Sequence, residues 1–432
     1  YVLTAKGAEA VYRESQPYRF TEYLEEPGRI DEALKVVSDL AVNGPRSERG
    51  WAYSKWAVMT LNDLGDAAAA RRLAAKGLGY SPGSDINDRI TLVNTEIWSG
   101  DEAADLAISR TLDREDQARA PDTSQYYYET NKRLGRAWLE FVEPDYLASG
   151  RDWMDVVAHD ASAHFAALGP AMAATAYALG HDLPAARAAA SQATREADPA
   201  LAWDIATSAF RALPNYWIPA ETGRWPEALA DARAMDEALE AGKARRPIYG
   251  LMQRVWIWPL EAVAFARTGD VSGAQALVGK TPLDCYDCVR ARGLIAAEQR
   301  DWPSSERWFV EAVRQAPSVA VAYAEWGRMR LARGDVRGAI AVLSAGYGKD
   351  PRFADTLELW GEALMAQGDA RGAARKFADA WKLAPNWGRD HLKWGEALLT
   401  LGRREEGRVQ RRAAAALDLT SAERAEAQAL RL

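Results

Sequence analysis

ADTLELWGEALMAQGDARGAARKFADAWKLAP, residues 354–385, reads as two helices and a turn. Leu357, Trp360, Gly361 and Leu364 recur at helical spacing on one face of a first helix. Gly368-Asp369 is the turn, with Asp369 placed to cap the second helix. Ala373, Phe377 and Ala380 then share a face of that second helix. Pro385 ends it, because proline cannot continue a helix but can start the next one. Gly361 and Ala373 are small residues at positions where the two helices can cross closely, and Trp360 and Phe377 fill the space around that crossing.

The same punctuation recurs at a fixed period of 34 residues: Pro317, Pro351 and Pro385; Gly293, Gly327, Gly361 and Gly395. Ser305, Phe309 and Ala312 precede Pro317, and Ala339 and Gly346 precede Pro351, at matching offsets. A helix-turn-helix of this length cannot bury its apolar face alone, so such units must stack. The pattern resembles the tetratricopeptide repeat family, with a good match over roughly residues 251–420. The resemblance implies an all-α, right-handed superhelical solenoid of about ten helix-turn-helix repeats. Looser copies surround Gly28, Trp51–Pro82, Gly100, Gly180 and Gly223, and the spacing stretches between Gly180 and Gly269. The expected organisation is therefore 1–120, looser repeats; 121–250, longer irregular hairpins; and 251–432, regular repeats. In the last copy Gly407, Arg411 and Leu419 replace the usual residues, and the polar run Thr420–Gln428 reads as a terminal cap.

Composition excludes several function classes. A net charge of −7, with no basic run, argues against nucleic acid as a partner, which needs a basic face. The longest uncharged stretch, Ala161–Gly180, is mostly alanine and contains Gly169-Pro170, read here as a turn between two helices and not as a membrane span. The 17 Trp fall largely at inter-helix positions, where packing explains them. The strong preference for arginine over lysine suggests a GC-rich bacterial source. The chain starts at Tyr1 rather than methionine, so the expectation is that a signal, anchor or effector segment precedes it.

Catalytic constellations are missing: no HExxH, GxSxG, GxxxxGK[ST] or GxGxxG is present, and the four histidines are scattered. No enzyme activity, cofactor or metal is expected. Cys285-Tyr286-Asp287-Cys288 is the one chemically suggestive motif. Without a βαβ context or further zinc ligands it reads as a local disulfide or a pair of reduced thiols, with a redox switch as the lesser alternative. A disulfide would favour an oxidising compartment such as the periplasm.

The resemblance implies a concave groove lined by first-helix residues, here Arg290, Arg328, Asp355, Glu358, Glu362, Arg389 and Glu396. Their signs change along the groove, which would orient a charged peptide unless the charges pair among themselves. Some family members grip a peptide carboxylate with Lys and Asn, but Lys55 has Met59, not Asn, one turn later, so that mode is disfavoured. Aromatics cluster where the period breaks, and Tyr127, Trp217, Tyr249 and Trp256 are candidates for a pocket. Pro259 must kink or end its helix. The expected function is a non-catalytic scaffold binding a protein or peptide in the groove. The alternative is the ligand- or peptide-sensing half of a larger bacterial regulator whose effector domain lies outside this chain.

Overall fold

The 34-residue ladder sets the geometry of each hairpin in the computed structural model, which describes residues 2–25, 28–80, 86–118, 126–160, 162–195 and 205–429. Among these residues every regular element is helical. In the regular part the paired helices are Tyr286–Glu298 with Trp302–Gln315, Val321–Ala332 with Val336–Lys349, Ala354–Gln367 with Ala370–Leu383, and Gly388–Thr400 with Arg404–Ala416. Each ladder glycine in the first three pairs marks a helix crossing. A Cβ on Gly361 would stand 2.5 Å from Phe377 Cε1, and one on Gly327 would stand 2.5 Å from the Leu343 side chain. Only a missing side chain lets the second-helix residue lie flat on the first helix. The turns also repeat chemically. Asp270, Asp301, Asp335 and Asp369 each accept the N–H three residues on, capping the helix that follows.

The chain divides into two compact units, residues 1–99 with 240–252, and residues 100–239 with 253–432. This differs from boundaries at 120 and 250, because the Ile248–Met252 turn packs with the N-terminal hairpins and the looser copy at Gly100 packs with the regular repeats. The first unit contains helices Val2–Ser15, Pro17–Glu25, Ile30–Asn43, Arg46–Leu64, Ala67–Tyr80 and Ile86–Ile97, stacked in sequence order. Its core includes Phe20, Leu24, Val37, Met59 and Tyr249.

In the second unit the central helices are longer than those of the repeats: Tyr126–Val142, Ala163–Leu179, Ile205–Glu221 and Trp225–Gly242. The expected turn at Gly169-Pro170 is not there. Ala163–Leu179 runs through Pro170 as one helix, and a Cβ on Gly169 would stand 2.3 Å from Val157 Cγ2. Gly169 thus serves a close crossing with the preceding helix, and burial of this alanine-rich helix outweighs the hydrogen bond that Pro170 removes. Pro259 is accommodated by a π-turn over Gln253–Ile257, after which Trp258–Arg267 starts with Pro259 in its first turn.

Hairpin turns of the first half of the second unit seat against loops of its second half. Tyr286 N–H donates to Gly100 O at 3.0 Å. Gly100 has φ +73, and a Cβ there would stand 2.7 Å from Cys285 Cβ, so both its conformation and its neighbour require glycine. Further along the same seam Arg352 bonds Glu143 at 2.5 Å, Asn386 Nδ2 donates to Asp182 at 2.9 Å, and Arg187 grips Asp418 at 2.6 and 2.9 Å. The terminal helix Ser421–Ala429 follows a capping box in which Thr420 N–H donates to Glu423 and Glu423 N–H donates to Thr420 Oγ1. No described helix is long and apolar enough to cross a membrane.

Candidate functional site

The seam brings the two halves of the second unit together, and residues of both line adjoining cavities, here called the lumen. One chamber of about 320 Å³ is walled largely by aromatic and aliphatic side chains, among them Phe141, Tyr146, Trp217, Trp256, Tyr286 and Phe353. A second chamber of about 610 Å³ is mostly polar and runs on to Arg389, Asp418 and Glu423. The two share a wall formed by His181, Glu221, Trp225, Arg267, Arg328 and Asp355. At its other end the aromatic chamber shares Glu102 and Tyr286 with an outer cleft of about 620 Å³, which carries Asp101, Asp284 and Glu311. The chambers therefore follow one another along the inside of the superhelix. Both principal volumes lie in the range of binding pockets.

Of the aromatic candidates, Trp217 and Trp256 line this chamber. Trp256 packs edge-on against Phe210 at 4.8 Å, and Trp217 against Tyr216 at 5.0 Å. Tyr249 is buried in the core of the other unit. The Tyr127 side chain lies outside the described residues. The π-turn before Pro259 sets the facing of Trp256, so its place could not be read from a regular helical period.

Of the groove candidates, Arg290, Arg328, Asp355, Glu362 and Arg389 line these chambers and Glu358 and Glu396 line neither; most of their charges are paired between neighbouring first helices. Arg290 bonds both oxygens of Glu325, at 2.9 and 2.6 Å, and also Asp287. Arg328 stands 3.5 Å from Asp355. Arg389 joins Glu358 at 3.1 Å, Glu423 at 3.2 Å, and Glu362. Glu396 pairs with Lys393 at 3.4 Å. The sign alternation seen in the sequence is thus largely closed into lateral pairs between neighbouring first helices. Burial and the Glu362 carboxylate push Glu358 well above the ordinary carboxylate range. Glu362 is held below that range by the neighbouring Glu358 carboxyl and by Arg389 and Lys393.

His181 is the centre of the shared wall and was not singled out in the sequence. It sits at φ +61 in the turn after Gly180, a position open to few side chains other than glycine. Its Nε2 is 3.0 Å from Asp355, its Nδ1 is 3.2 Å from Glu221, and its ring stacks on Trp387 at 3.7 Å. Burial opposes its charge, but Asp355 and Glu221 overcome this and raise its pKa to about 10. The imidazolium therefore pins two hairpin turns to the C-terminal repeats. The available signal was a histidine where the repeat wants the residue after a turn glycine. Burial, Asp287 and Asp105 push Glu102, at the boundary with the outer cleft, well above the usual carboxylate range.

Cys285 and Cys288 are bonded as a disulfide and fully buried at the start of Tyr286–Glu298, with Cys285 as its N-cap. Among the described residues no three metal-ligating side chains converge on a possible ion site.

No family model and no curated protein matches the chain. Among solved structures, yeast Tom70 is similar at 12% identity over 98% of this chain and 95% of that one, with a TM-score of 0.47. MamA AMB-1 is similar at 20% identity over 38% of this chain and 99% of its own, with a TM-score of 0.30. YrrB, described as a TPR protein with an unusual peptide-binding site, is 13% identical over 45% of this chain and 100% of its own, with a TM-score of 0.32.

Proposed function

We propose that this chain is a non-catalytic interaction scaffold that takes an extended segment of a protein partner into the lumen of its second unit. The observation that carries this is the succession of an aromatic chamber and a charged chamber across one shared wall. An extended chain places an apolar side chain in the first and polar groups in the second without breaking its backbone. The groove residues expected from the repeat pattern support the reading as the walls of that lumen, with Arg328 and Asp355 at the junction and Arg389 and Glu362 in the charged chamber.

The test is a photo-crosslinking amino acid placed at Leu294, a half-buried residue of the aromatic chamber. Exposure to native-host extract should give one partner, crosslinked through a short peptide that mass spectrometry identifies. Capture from a second crosslinker position in the same chamber, Val263, should disappear when combined with Leu294→Trp. A partner that crosslinks only from the exposed Trp381 position, and survives Leu294→Trp, would place binding outside the lumen. A second reading, the sensing half of a regulator, draws on the small-ligand size of the aromatic chamber. A thermal-shift screen with small molecules separates the two, since a scaffold for extended segments responds to peptides alone.

A further inference from the structure

Resting on that reading, we infer that the shared wall of the lumen is an anion subsite, so that the partner segment carries an acidic side chain next to the apolar one. Arg267 and Arg328 line both chambers, one from the end of helix Trp258–Arg267 and the other from helix Val321–Ala332. Neither guanidinium is saturated. Arg267 forms one contact to Glu298 at 2.5 Å and packs over Trp225 at 5.2 Å, while its buried Nε has no hydrogen-bond partner. Arg328 is half exposed to the lumen and only 3.5 Å from Asp355, beyond hydrogen-bond length. Asp355 is already engaged by His181 at 3.0 Å, and Glu221 by the other ring nitrogen. Within the shared wall three cations face two carboxylates; Glu325, which lines the aromatic chamber and also acts on Arg267, has both oxygens taken by Arg290, and Glu298 lies outside the lining.

The two arginines also repel each other, and burial works against Arg267 in the same direction. A carboxylate placed at Arg328 and facing Arg267 would offset that repulsion, and a guanidinium fork suits a carboxylate geometrically. The aromatic chamber on one side fixes where the neighbouring apolar side chain goes. The groups opposite are two arginines on separate hairpins with a tryptophan, and they do not require a chain end.

The experiment uses the full chain and arrays of seven-residue peptides with a fixed central pair: Phe-Glu, Phe-Gln or Phe-Lys, each with a free or an amidated C-terminus. Phe-Glu peptides should bind at least tenfold more tightly than their Phe-Gln matches, regardless of the C-terminus. Arg328→Gln should erase that ratio, and Arg267→Lys, which keeps charge but loses the fork, should reduce it. Equal binding of Glu and Gln peptides, preference for Lys, dependence on a free C-terminus, or no binding overturns the anion subsite. Leu294→Trp separates this from failure of the lumen itself. Charge-blind binding that Leu294→Trp abolishes leaves the lumen standing without the subsite, whereas binding that survives Leu294→Trp removes both.

Discussion

The imidazole of His181 lies flat on the indole of Trp387, with ring centroids 3.7 Å apart and planes 8° from parallel, although one belongs to a central hairpin turn and the other to the start of a late repeat. The contact joins the two ends of the superhelical turn, and the two carboxylates beside it keep the ring charged. A charged ring on an aromatic face gains further stabilisation when desolvated.

His181→Asn keeps a residue that tolerates positive φ but removes the charge. The expected loss is about 3 kcal/mol at pH 7, the scale for breaking a buried pair from one side. The folded pKa of about 10 lies above the ordinary histidine value, so this stability is fully present below that ordinary value and fades as pH rises through 10. Arg328 and the buried Asp390 also feel the local charge, so the quantity to follow is the difference between wild type and variant in urea melts from pH 6 to 10.5. That difference should shrink toward the alkaline end.

Gly361→Ala should destabilise by about 1–3 kcal/mol despite the better helix propensity of alanine, because the new methyl would strike Phe377. Gly348→Ala is the control. Its Cβ meets nothing within 4 Å, so helix propensity alone should leave stability unchanged or raise it by up to about 1 kcal/mol. Thermal melts of both variants, and of Gly361→Ala combined with Phe377→Leu, check this. The double variant should recover part of the loss.

Reduction of Cys285–Cys288 should lower stability by about 2 kcal/mol, the closure entropy of so short a loop. Because the disulfide takes up both cysteines, maleimide labelling under non-reducing conditions should be negligible, and because both sulfurs are buried, reductant should act only near unfolding conditions. Urea midpoints with and without reductant give the first quantity, and the label mass gives the second.

Thr420→Ala removes one half of the capping box and should loosen the last helix by about 1 kcal/mol. Hydrogen exchange should accelerate in residues 421–429 and in the first turn of Gly388–Thr400, which Arg389 ties to Glu423. The hairpin of residues 286–315 should not respond.

The repeated hairpin was legible because it depends on local chemistry at fixed offsets: a glycine where helices cross, an aspartate where a helix starts, a proline where it ends. Residues 354–385 contain all of this, and the structure realises each piece. The alanine-rich segment misled at Gly169-Pro170 because the same dipeptide serves a turn or a buried crossing, and only the facing Val157 decides between them. The inward facing of Trp217 and Trp256 was signalled by aromatic density, but the assignment of Tyr249 to the other unit was not.

By itself, then, the sequence determined the period, the helical hairpin, its caps and the terminal cap helix, since each is set by residues a few positions apart. The tertiary structure alone decided that the second unit winds far enough for Gly100, Glu143, His181 and Arg187 to reach Tyr286, Arg352, Asp355 and Asp418. Small angular steps between neighbouring hairpins accumulate over many repeats, and their sum fixes whether the concave face is an open groove or a lined chamber. No residue pattern within one repeat contains that sum. Of the charges read as a groove, Arg290, Arg328, Asp355, Glu362 and Arg389 line that interior, and His181 ties Glu221 to Asp355 across it.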